Sequence, residues 1–517
     1  MAQVDMSNHS TWLEEQIKHQ YETKKQTDCR MALGKSVLRR VDRELPLSRY
    51  LELDEHLWDA DITSIHKLYK EKIALPVEVV LYYIKRIYVY ENVLSSVTQV
   101  FEEAIDQAIE LESKEFDPEL PLFGIPILLK DNIATEGHPN TAGSDMLRDV
   151  TTLRASTVAE KLKEAGAIIV GKTNLSEWAN FMTFNSSNGY SALGGQTVNP
   201  YGRFDVGGSS AGSAVAVAAG LIPVSIGSET AGSLVYPASQ NAVVTIKPTV
   251  GLVSRDLIVP ISETQDTAGP MATCVKDAAL VLSSIAGGCQ HDRATEHAVV
   301  KDYVGALDRD IKGLRIGILS NQSVKEEYRD NDEQVILAAC KVFEDLGAEV
   351  VEVELEEKVF ATNMLDVLLY EFHRDVNAYL ANPEVDTGLT LEAIRDSNLK
   401  DLENRAAFGQ SIIDKSIDER MSPKAYEELV DENVKIAEDA IDKVKEKVDA
   451  VLSISNYSTI AYATCGYPAI TVPAGYRDSG EPVGITIFAG RYEEDLLISL
   501  GAGYEKATGH RRAPALQ

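Results

Sequence analysis

Glycines and serines are concentrated in two short segments of the sequence, GGSS at 207–210 and GSETAGS at 227–233. Glycine lets backbone N–H groups approach a ligand closely, and a serine hydroxyl becomes a nucleophile once a base removes its proton. The two segments bracket an apolar Ala/Val run, an arrangement that predicts an active site at this part of the chain. The candidate hydroxyl groups are Ser209, Ser210, Ser213 and Ser233.

The base that would activate such a serine is not evident among the nine histidines. Only His138 lies near the glycine-rich part, and no motif positions it. Lys130 ends an apolar run, and a lysine can act as a base when burial lowers the pKa of its ammonium group. The alternative is a structural lysine that pairs with Asp131 or reaches solvent.

The segments around these residues predict alternating strands and helices. A buried strand is expected at 125–129, followed by a helix that Ser156 caps, a stop at Gly166 and a second strand at 167–170. The Ala/Val run is predicted to be a tightly packed helix that leads into a strand at 224–227. Strands and helices at this spacing indicate an α/β fold with parallel strands joined by helical crossovers.

The rest of the chain extends this scheme. Residues 76–113 predict two or more helices, and 312–355 predict another strand, helix and strand. Further strands are expected at 449–455 and within GYPAITVPAGY and PVGITIFAG, before a final helix. We predict a helical N-terminal arm at 1–75, one domain at 76–517, a core at about 120–290 and a mostly helical insertion at about 357–447.

Composition narrows the possible partners and locations. Lys and Arg number 50 and Asp and Glu 80, giving a net charge of −30, which disfavours nucleic acid and anionic membranes. The five cysteines are scattered without a CxxC, which favours reduced thiols over disulfides or zinc. The N-terminus has no apolar signal region, and no apolar run approaches the ~20 residues that span a bilayer. These features predict a cytoplasmic protein.

Together the motifs resemble those of the amidase signature family of serine hydrolases. The 24-residue separation of Ser209 and Ser233 fits that family, and the resemblance covers roughly 75–310 and 449–517. KTNLSEWANF, GLVSRD and LLYEFHRDVNAYLA are most similar to the peptide-amidase-like branch. The motifs that carry the resemblance are FGIPILLKDNI (123–133), GKTNLSEWANF (171–181), GGSS, GSETAGS, KPT (247–249) and QDTAGPMA (265–272).

The resemblance implies a Ser-Ser-Lys triad, with roles carried over by position. Ser233 would be the nucleophile, Ser209 a proton relay preceded by a cis peptide bond from Gly208, and Lys130 a neutral base. Backbone N–H groups would form the oxyanion hole, and the residues that supply them are Thr230, Ala231, Gly232 and Ser233. The resemblance also implies the family fold, a mixed, largely parallel twisted sheet with helices on both faces.

Three further side chains have less specific roles. Ala179 is a candidate for the wall of the acyl pocket, with packing as the alternative. Ser210 and Ser213 are candidates for supporting the triad, with loop or helix packing as the alternative. No metal or cofactor is expected.

Some positions depart from the family pattern. Ala231 replaces a common glycine, Glu229 a common aspartate, Val235 a frequent arginine, and Val206 the proline that usually precedes GGSS. Every triad position is retained, so the departures bear on the substrate and not on the chemistry.

The sequence therefore predicts a stand-alone amidase that acts on small aliphatic or aryl amides or on C-terminal peptide amides. A carbamate or ester hydrolase with the same triad is the first alternative. The glutaminase subunit of a tRNA-dependent amidotransferase is a weaker one, and an inactive binding protein is the alternative from another class. The expected partner is a small-molecule amide or carbamate, and the expected assembly is a monomer or homodimer.

Overall fold

The structure is a computed structural model that describes residues 31, 33–112, 114–321, 328–385, 387–419 and 421–516. Part of the predicted N-terminal arm, residues 1–30 together with 32, lies outside the described residues, and Cys29 is among them. In the described part of the arm, apolar side chains such as Val41 and Leu57 belong to the same buried cluster as the central strands. The division of the chain at residues 75 and 76 stays a prediction.

An eleven-stranded sheet runs through the molecule, in the order β1-β3-β2-β6-β8-β7-β12-β13-β11-β9-β10, and β4 and β5 form a separate pair. The strands are β1 Val97–Val100, β2 Pro126–Lys130, β3 Ile168–Thr173, β4 Tyr190–Ser191, β5 Gly195–Gln196, β6 Val224–Glu229, β7 Val244–Lys247, β8 Thr267–Ala272, β9 Arg315–Leu319, β10 Glu349–Val353, β11 Ala450–Ile454, β12 Ala469–Tyr476 and β13 Pro482–Phe488.

Helices cover both faces of the sheet. They are α1 Lys35–Glu44, α2 Leu47–Leu57, α3 Ile62–Lys70, α4 Pro76–Leu94, α5 Glu103–Glu112, α6 Thr157–Glu164, α7 Glu177–Asn180, α8 Ala211–Ala218, α9 Val235–Gln240, α10 Val275–Ile285, α11 Arg329–Asp345, α12 Met364–Leu380, α13 Leu391–Asn398, α14 Leu402–Arg405, α15 Ser411–Asp418, α16 Pro423–Lys445, α17 Thr459–Thr464 and α18 Glu494–Thr508.

The predicted α/β class with a mixed sheet is confirmed, and parallel pairing is concentrated in two blocks. One block is β3-β2-β6 and the other is β11-β9-β10. The six remaining pairs of neighbouring strands are antiparallel, including all those at the centre of the sheet. Parallel pairing therefore occurs only between strands that helical crossovers connect, and the strands at the centre of the sheet pair antiparallel.

The strand β1 was not expected, because the sequence predicts only helices over 76–113. Helices α4 and α5 occupy most of that range, and β1 lies between them as an edge strand antiparallel to β3. Four residues are too short a run for hydrophobic periodicity to separate a strand from the end of a helix.

The block β3-β2-β6 positions the candidate lysine. Ile127 of β2 pairs with Val224 of β6, and Leu129 pairs with Ile226, so β2 and β6 run in register. On the other side, Lys130 pairs with Thr173 of β3. The carboxyl ends of three parallel strands thus meet at one edge, where the chain leaves β6 after Glu229 and continues through the rest of GSETAGS as a loop.

Helix α8 explains why the segment after GGSS consists of small residues. All eight of its residues are buried, and it packs against β2, β3, β6 and β8. A Cβ atom at Gly212 would lie 2.4 Å from the carbonyl oxygen of Ser96 and 2.5 Å from that of Asn174. A larger side chain would therefore force the helix off the sheet.

Candidate active site

Lys130 is fully buried at the end of β2, and its Nζ atom lies among serine oxygens. Nζ is 2.7 Å from Oγ of Ser209, 2.9 Å from Oγ of Ser228 and 3.1 Å from the carbonyl oxygen of Ser228. The alternative that Lys130 pairs with Asp131 or reaches solvent is wrong. The carboxylate of Asp131 instead accepts hydrogen bonds from other residues, including the Thr141 hydroxyl at 2.6 Å.

Burial lowers the pKa of the Lys130 ammonium group to about 7, against the opposing influence of the carboxylates of Asp266 and Glu229. No carboxylate of the described chain lies within ion-pair distance of Nζ, whose contacts are to Ser209 and Ser228. A neutral amine has two N–H donors and one lone pair. The carbonyl of Ser228 can only accept, so with both N–H groups directed to Ser228 the lone pair is available to the hydroxyl of Ser209.

Two other lysines of the described chain are equally buried, which makes Lys130 distinctive by its partners and not by its burial. Nζ of Lys172 donates to the carbonyl of Ile133 and to the Asn140 side chain, and Nζ of Lys247 donates to backbone carbonyls. Burial lowers the pKa of all three lysines. Only Lys130 contacts hydroxyl groups that can exchange protons with it.

Ser209 is fixed by the backbone around it. The Gly208–Ser209 peptide bond is cis, as predicted. The Ser209 carbonyl accepts a hydrogen bond of 3.0 Å from the N–H of Ser176. A Cβ atom at Gly208 would lie 2.5 Å from the hydroxyl oxygen of Ser176, so the close approach of these two segments requires glycine there.

The GSETAGS loop, which carries Ser233, is held by the side chain of Glu229, the last residue of β6. Oε2 of Glu229 accepts hydrogen bonds from the N–H groups of Leu234 at 2.7 Å and Val235 at 3.1 Å. The loop turns at Gly232, whose φ of +92° suits glycine. The Ser233 carbonyl accepts from the N–H of Ser210 at 3.2 Å, which joins the two serine segments.

Several donors of this loop have no partner within the part of the chain that the structure describes. These are the hydroxyl of Ser233 and the backbone N–H groups of Thr230, Ala231, Gly232 and Ser233. Four successive N–H groups without an internal acceptor are available to a bound oxygen atom.

Ser210 and Ser213 have different surroundings. The hydroxyl of Ser210 donates to the carbonyl of Ser228 at 2.9 Å, the same oxygen that Lys130 contacts. The hydroxyl of Ser213 lies 2.7 Å from that of Thr173 and 3.2 Å from the carbonyl of Ile226. Ser210 therefore supports the surroundings of the lysine, whereas the contacts of Ser213 hold α8 on the sheet.

Two residues near the site were not singled out from the sequence, Ser228 and Asp266. Ser228 contacts Lys130 and also accepts a hydrogen bond of 2.9 Å from the side chain of Asn132. The sequence signal for it is its place one residue into GSETAGS, on the strand that neighbours β2. Asp266 lies in QDTAGPMA, another motif that carries the resemblance, but its contact with Thr230 depends on tertiary structure.

Asp266 anchors Thr230. Its Oδ1 atom accepts a hydrogen bond of 2.5 Å from the Thr230 hydroxyl, and Oδ2 accepts from the N–H groups of Ile261 at 2.8 Å and Ser262 at 2.9 Å. Burial raises the pKa of this carboxyl group, and these hydrogen bonds oppose the shift. Thr230, the first residue after β6, is thereby fixed to the 261–266 segment.

A cavity of about 390 Å³ opens beside this loop. Its wall includes Asn132, Ala179, Ser228 and Thr230, the segment 255–263 and part of helix α12. Ala179 belongs to this wall in a left-handed backbone conformation, with φ of +54°. The cavity reaches the loop at Thr230, and the next three residues do not line it.

Elsewhere, one group of potential metal ligands occurs among the described residues, formed by Asp61, Cys274 and Asp277. Its carboxylates already cap helix α3. Asp61 accepts a hydrogen bond of 2.7 Å from the N–H of Ser64, and Asp277 accepts one of 2.9 Å from the N–H of Ile62. This capping accounts for the acidic residues without an ion.

A buried lysine in contact with a serine hydroxyl, beside a second serine loop with free N–H groups, is the arrangement that a serine hydrolase with a lysine base requires. Comparison with known proteins then identifies the family. The Amidase family profile matches residues 78–498. The chain belongs to this family, as the amidase signature motifs predicted, and it is an amidase enzyme.

Three similar proteins illustrate the range of relatives. A probable amidase of Arabidopsis thaliana is 34% identical over 478 residues, which cover 88% of this chain and 91% of the relative. The crystal structure of peptide amidase from Stenotrophomonas maltophilia has a TM-score of 0.82 at 36% identity, covering 89% of this chain and 99% of that one. A glutamyl-tRNA(Gln) amidotransferase subunit from Exiguobacterium sibiricum is 32% identical over 496 residues, 89% of this chain and 100% of the relative.

Across the described residues, none of the helices combines the length and the apolar character needed to cross a bilayer.

Proposed function

We propose that this amidase hydrolyses small aliphatic or aryl amides, or C-terminal peptide amides, through an acyl-enzyme formed on Ser233. The observation that carries the proposal is the 2.7 Å contact between Nζ of Lys130 and Oγ of Ser209 in a fully buried site. A lysine whose pKa lies near 7 is a base of suitable strength at neutral pH.

In the acylation step, Oγ of Ser233 attacks the amide carbonyl carbon. The proton of Ser233 passes to Ser209 as the proton of Ser209 passes to neutral Lys130, so the active amine form of the lysine gains a positive charge in this step. The negative oxygen of the tetrahedral intermediate accepts hydrogen bonds from the N–H groups of the loop that begins at Thr230. Each such donor typically contributes ~3–4 kcal/mol to the transition state.

Collapse of the intermediate breaks the C–N bond. The leaving nitrogen takes its proton from Lys130 by way of Ser209 and departs as ammonia or an amine. A water molecule then attacks the acyl-enzyme, and its proton follows the same path to Lys130. The second collapse returns the proton to Ser233 and releases the carboxylic acid, so that one water is consumed and no cofactor takes part.

Similarity to peptide amidase supports C-terminal peptide amides as substrates, and the unpartnered N–H groups of the GSETAGS loop support the oxyanion hole. The 32% identity to an amidotransferase subunit supports glutamine as the competing substrate. A carbamate or ester would meet the same nucleophile and is the further alternative. Cytoplasmic location and a monomeric or homodimeric assembly stay predictions from the sequence.

A substrate panel tests the proposal. Ammonia or amine release is measured with acetamide, an anilide, a peptide amide, ethyl carbamate and glutamine, for the wild type and Ser233→Ala. We expect amide hydrolysis by the wild type and its loss in the variant. Ser284→Ala is the matched control, because that hydroxyl bonds within helix α10 to the carbonyl of Leu280.

Thermal melting followed by circular dichroism verifies that both variants fold. Substantial amide hydrolysis by folded Ser233→Ala would contradict the assignment of the nucleophile. Turnover of glutamine in preference to every other amide would favour the amidotransferase alternative.

A further inference from the structure

We propose that the cavity beside the GSETAGS loop selects amides whose acyl part is uncharged or positively charged, and that it excludes acyl parts bearing a carboxylate. This inference rests on the proposed function, because it assigns the cavity to the substrate. For a primary amide the leaving group is ammonia, so the body of the substrate that the cavity holds is the acyl part.

The lining of the cavity is partly polar and partly apolar. Asn132, Ser228 and Thr230 line it next to the reacting centre, since the Ser228 hydroxyl contacts both Lys130 and Asn132. The 257–261 segment, Ala378 and the Tyr379 ring add apolar surface. An amide whose carbonyl lies beside Ser228 and Thr230 would therefore have apolar surface available for its body.

The charged residues of the wall are predominantly acidic. Apart from His291, the one basic residue among those that line the cavity is Arg255. The acidic residues that line it are Asp256, Glu263, Asp266, Asp292 and Asp375.

Arg255 is already engaged. Its Nε and Nη2 atoms donate to the two carboxylate oxygens of Asp292 at 3.0 and 2.8 Å, and Nη1 donates to the carbonyl of Glu263. A bidentate pair of this kind leaves little positive potential for a third carboxylate. Binding an anionic substrate through Arg255 would require that the pair with Asp292 be broken.

The arginines that pair with the other acidic groups do not line the cavity: Arg154 pairs with Asp256, and Arg374 pairs with Asp375. The carboxylate of Asp266 accepts hydrogen bonds from neutral donors alone. Against the five lining carboxylates stand three arginines, Arg154, Arg255 and Arg374, so the surroundings of the cavity keep a net negative charge of two. This net charge disfavours a substrate carboxylate and attracts a substrate ammonium group.

Three amides of similar length test the inference: hexanamide (neutral), 5-aminopentanamide (positive) and 4-carbamoylbutanoate (negative). Ammonia release is measured at pH 7.5 in low salt. Like-charge contacts predict a kcat/KM for the negative amide at least about tenfold below that of hexanamide. The kcat/KM of the positive amide should equal or exceed that of hexanamide. Salt at 1 M, where the Debye length is about 3 Å, should reduce the discrimination.

A variant adds a local test. Glu263, at the cavity rim, pairs through Oε2 with Arg374 at 2.8 Å. Glu263→Gln removes one rim charge, so the ratio of kcat/KM for the neutral and negative amides should fall several-fold. Glu349→Gln is the control on the exposed edge strand β10 and should leave that ratio unchanged.

The outcomes separate the two proposals. Hydrolysis of the negative amide as fast as hexanamide, with Ser233→Ala inactive on both, overturns the charge selection and leaves the proposed function standing. A ratio unaffected by Glu263→Gln and by salt also overturns the charge selection. If none of the three amides, no anilide and no peptide amide is hydrolysed, the proposed function and the inference both fall.

Discussion

The Nζ atom of Lys130 lies 2.7 Å from Oγ of Ser209, and no carboxylate of the described chain is close enough to pair with it. The two residues are 79 positions apart in the sequence. The end of strand β2 and the loop before helix α8 bring them together. A buried lysine without an ion-pair partner is costly in its charged form, and this cost makes the amine available as a base.

The first prediction concerns Lys130 itself. Lys130→Met keeps the volume of the side chain but removes the base, so kcat should fall by about 10²–10⁴-fold. Lys172→Met is the control, because Lys172 is equally buried but contacts no serine. Comparable losses of kcat in both folded variants would indicate that Lys130 has a structural role and is not the base.

The same variant has a predicted effect on stability. The pKa of Lys130 is about 7 in the folded protein and about 10.4 in the unfolded chain, so between these values the unfolded chain binds more protons. Relative to Lys130→Met, the free energy of unfolding of the wild type should therefore rise by about 1.4 kcal/mol per pH unit from pH 7 to 10. Denaturant titrations of both proteins at several pH values measure this slope.

The pH dependence of activity gives the second prediction. Protonated Lys130 cannot accept the proton that Ser209 relays, so kcat/KM should fall about tenfold per pH unit below about 7 and level off above it. Steady-state rates on one uncharged amide between pH 5 and 9.5 are sufficient. A profile that still rises steeply at pH 9.5, or one that is flat from 5 to 8, would be incompatible with this base.

The third prediction concerns Ser228. Ser228→Ala removes an acceptor that stabilises the ammonium form of Lys130 more than the amine form. The midpoint of the kcat/KM profile should therefore move to lower pH, and kcat should fall because the amine is less well oriented. Ser225→Ala is the matched control on the same strand, since that hydroxyl donates to the carbonyl of Ser213 at 2.9 Å. If the two variants have the same kcat and the same profile midpoint, Ser228 does not tune the pKa of Lys130.

The fourth prediction concerns Asp266, which raises the pKa of Lys130 and anchors Thr230. Asp266→Asn should lower kcat more than it changes KM, because a loosened loop affects the oxyanion more than the bound substrate. The loss of the negative charge should also shift the acidic limb of the profile to lower pH. An unchanged kcat together with an unchanged profile would show that Asp266 serves only the fold.

Much of the scaffold around Lys130 is predictable from local sequence. The strand that ends at the lysine is found as β2, and the helix predicted after Ser156 is found as α6, with the Ser156 hydroxyl accepting from the N–H of Ala159. These elements carry strong local signals, an apolar run and a capping residue. The strand, helix and strand predicted over 312–355 are likewise confirmed, as β9, α11 and β10.

The centre of the sheet is not predictable in the same way. Strand β8 contains Gly269 and Pro270, residues that argue against a central strand, yet it pairs with β6 on one side and β7 on the other. Its place depends on neighbours distant in sequence. For the same reason the contact of Asp266 with Thr230 and the acidic wall of the cavity emerge only once the chain is folded.

The assignment of Ser233 as the nucleophile is tested best by identifying the serine that forms the covalent bond. An aryl or alkyl fluorophosphonate reacts with an activated serine by forming an O–P bond and releasing fluoride, and peptide mass spectrometry then locates the label. We expect a label on Ser233 in the wild type, none in Ser233→Ala, and much slower labelling in Lys130→Met. A label on Ser209 or Ser210 in the wild type, or equal labelling of Ser233→Ala, would contradict this assignment.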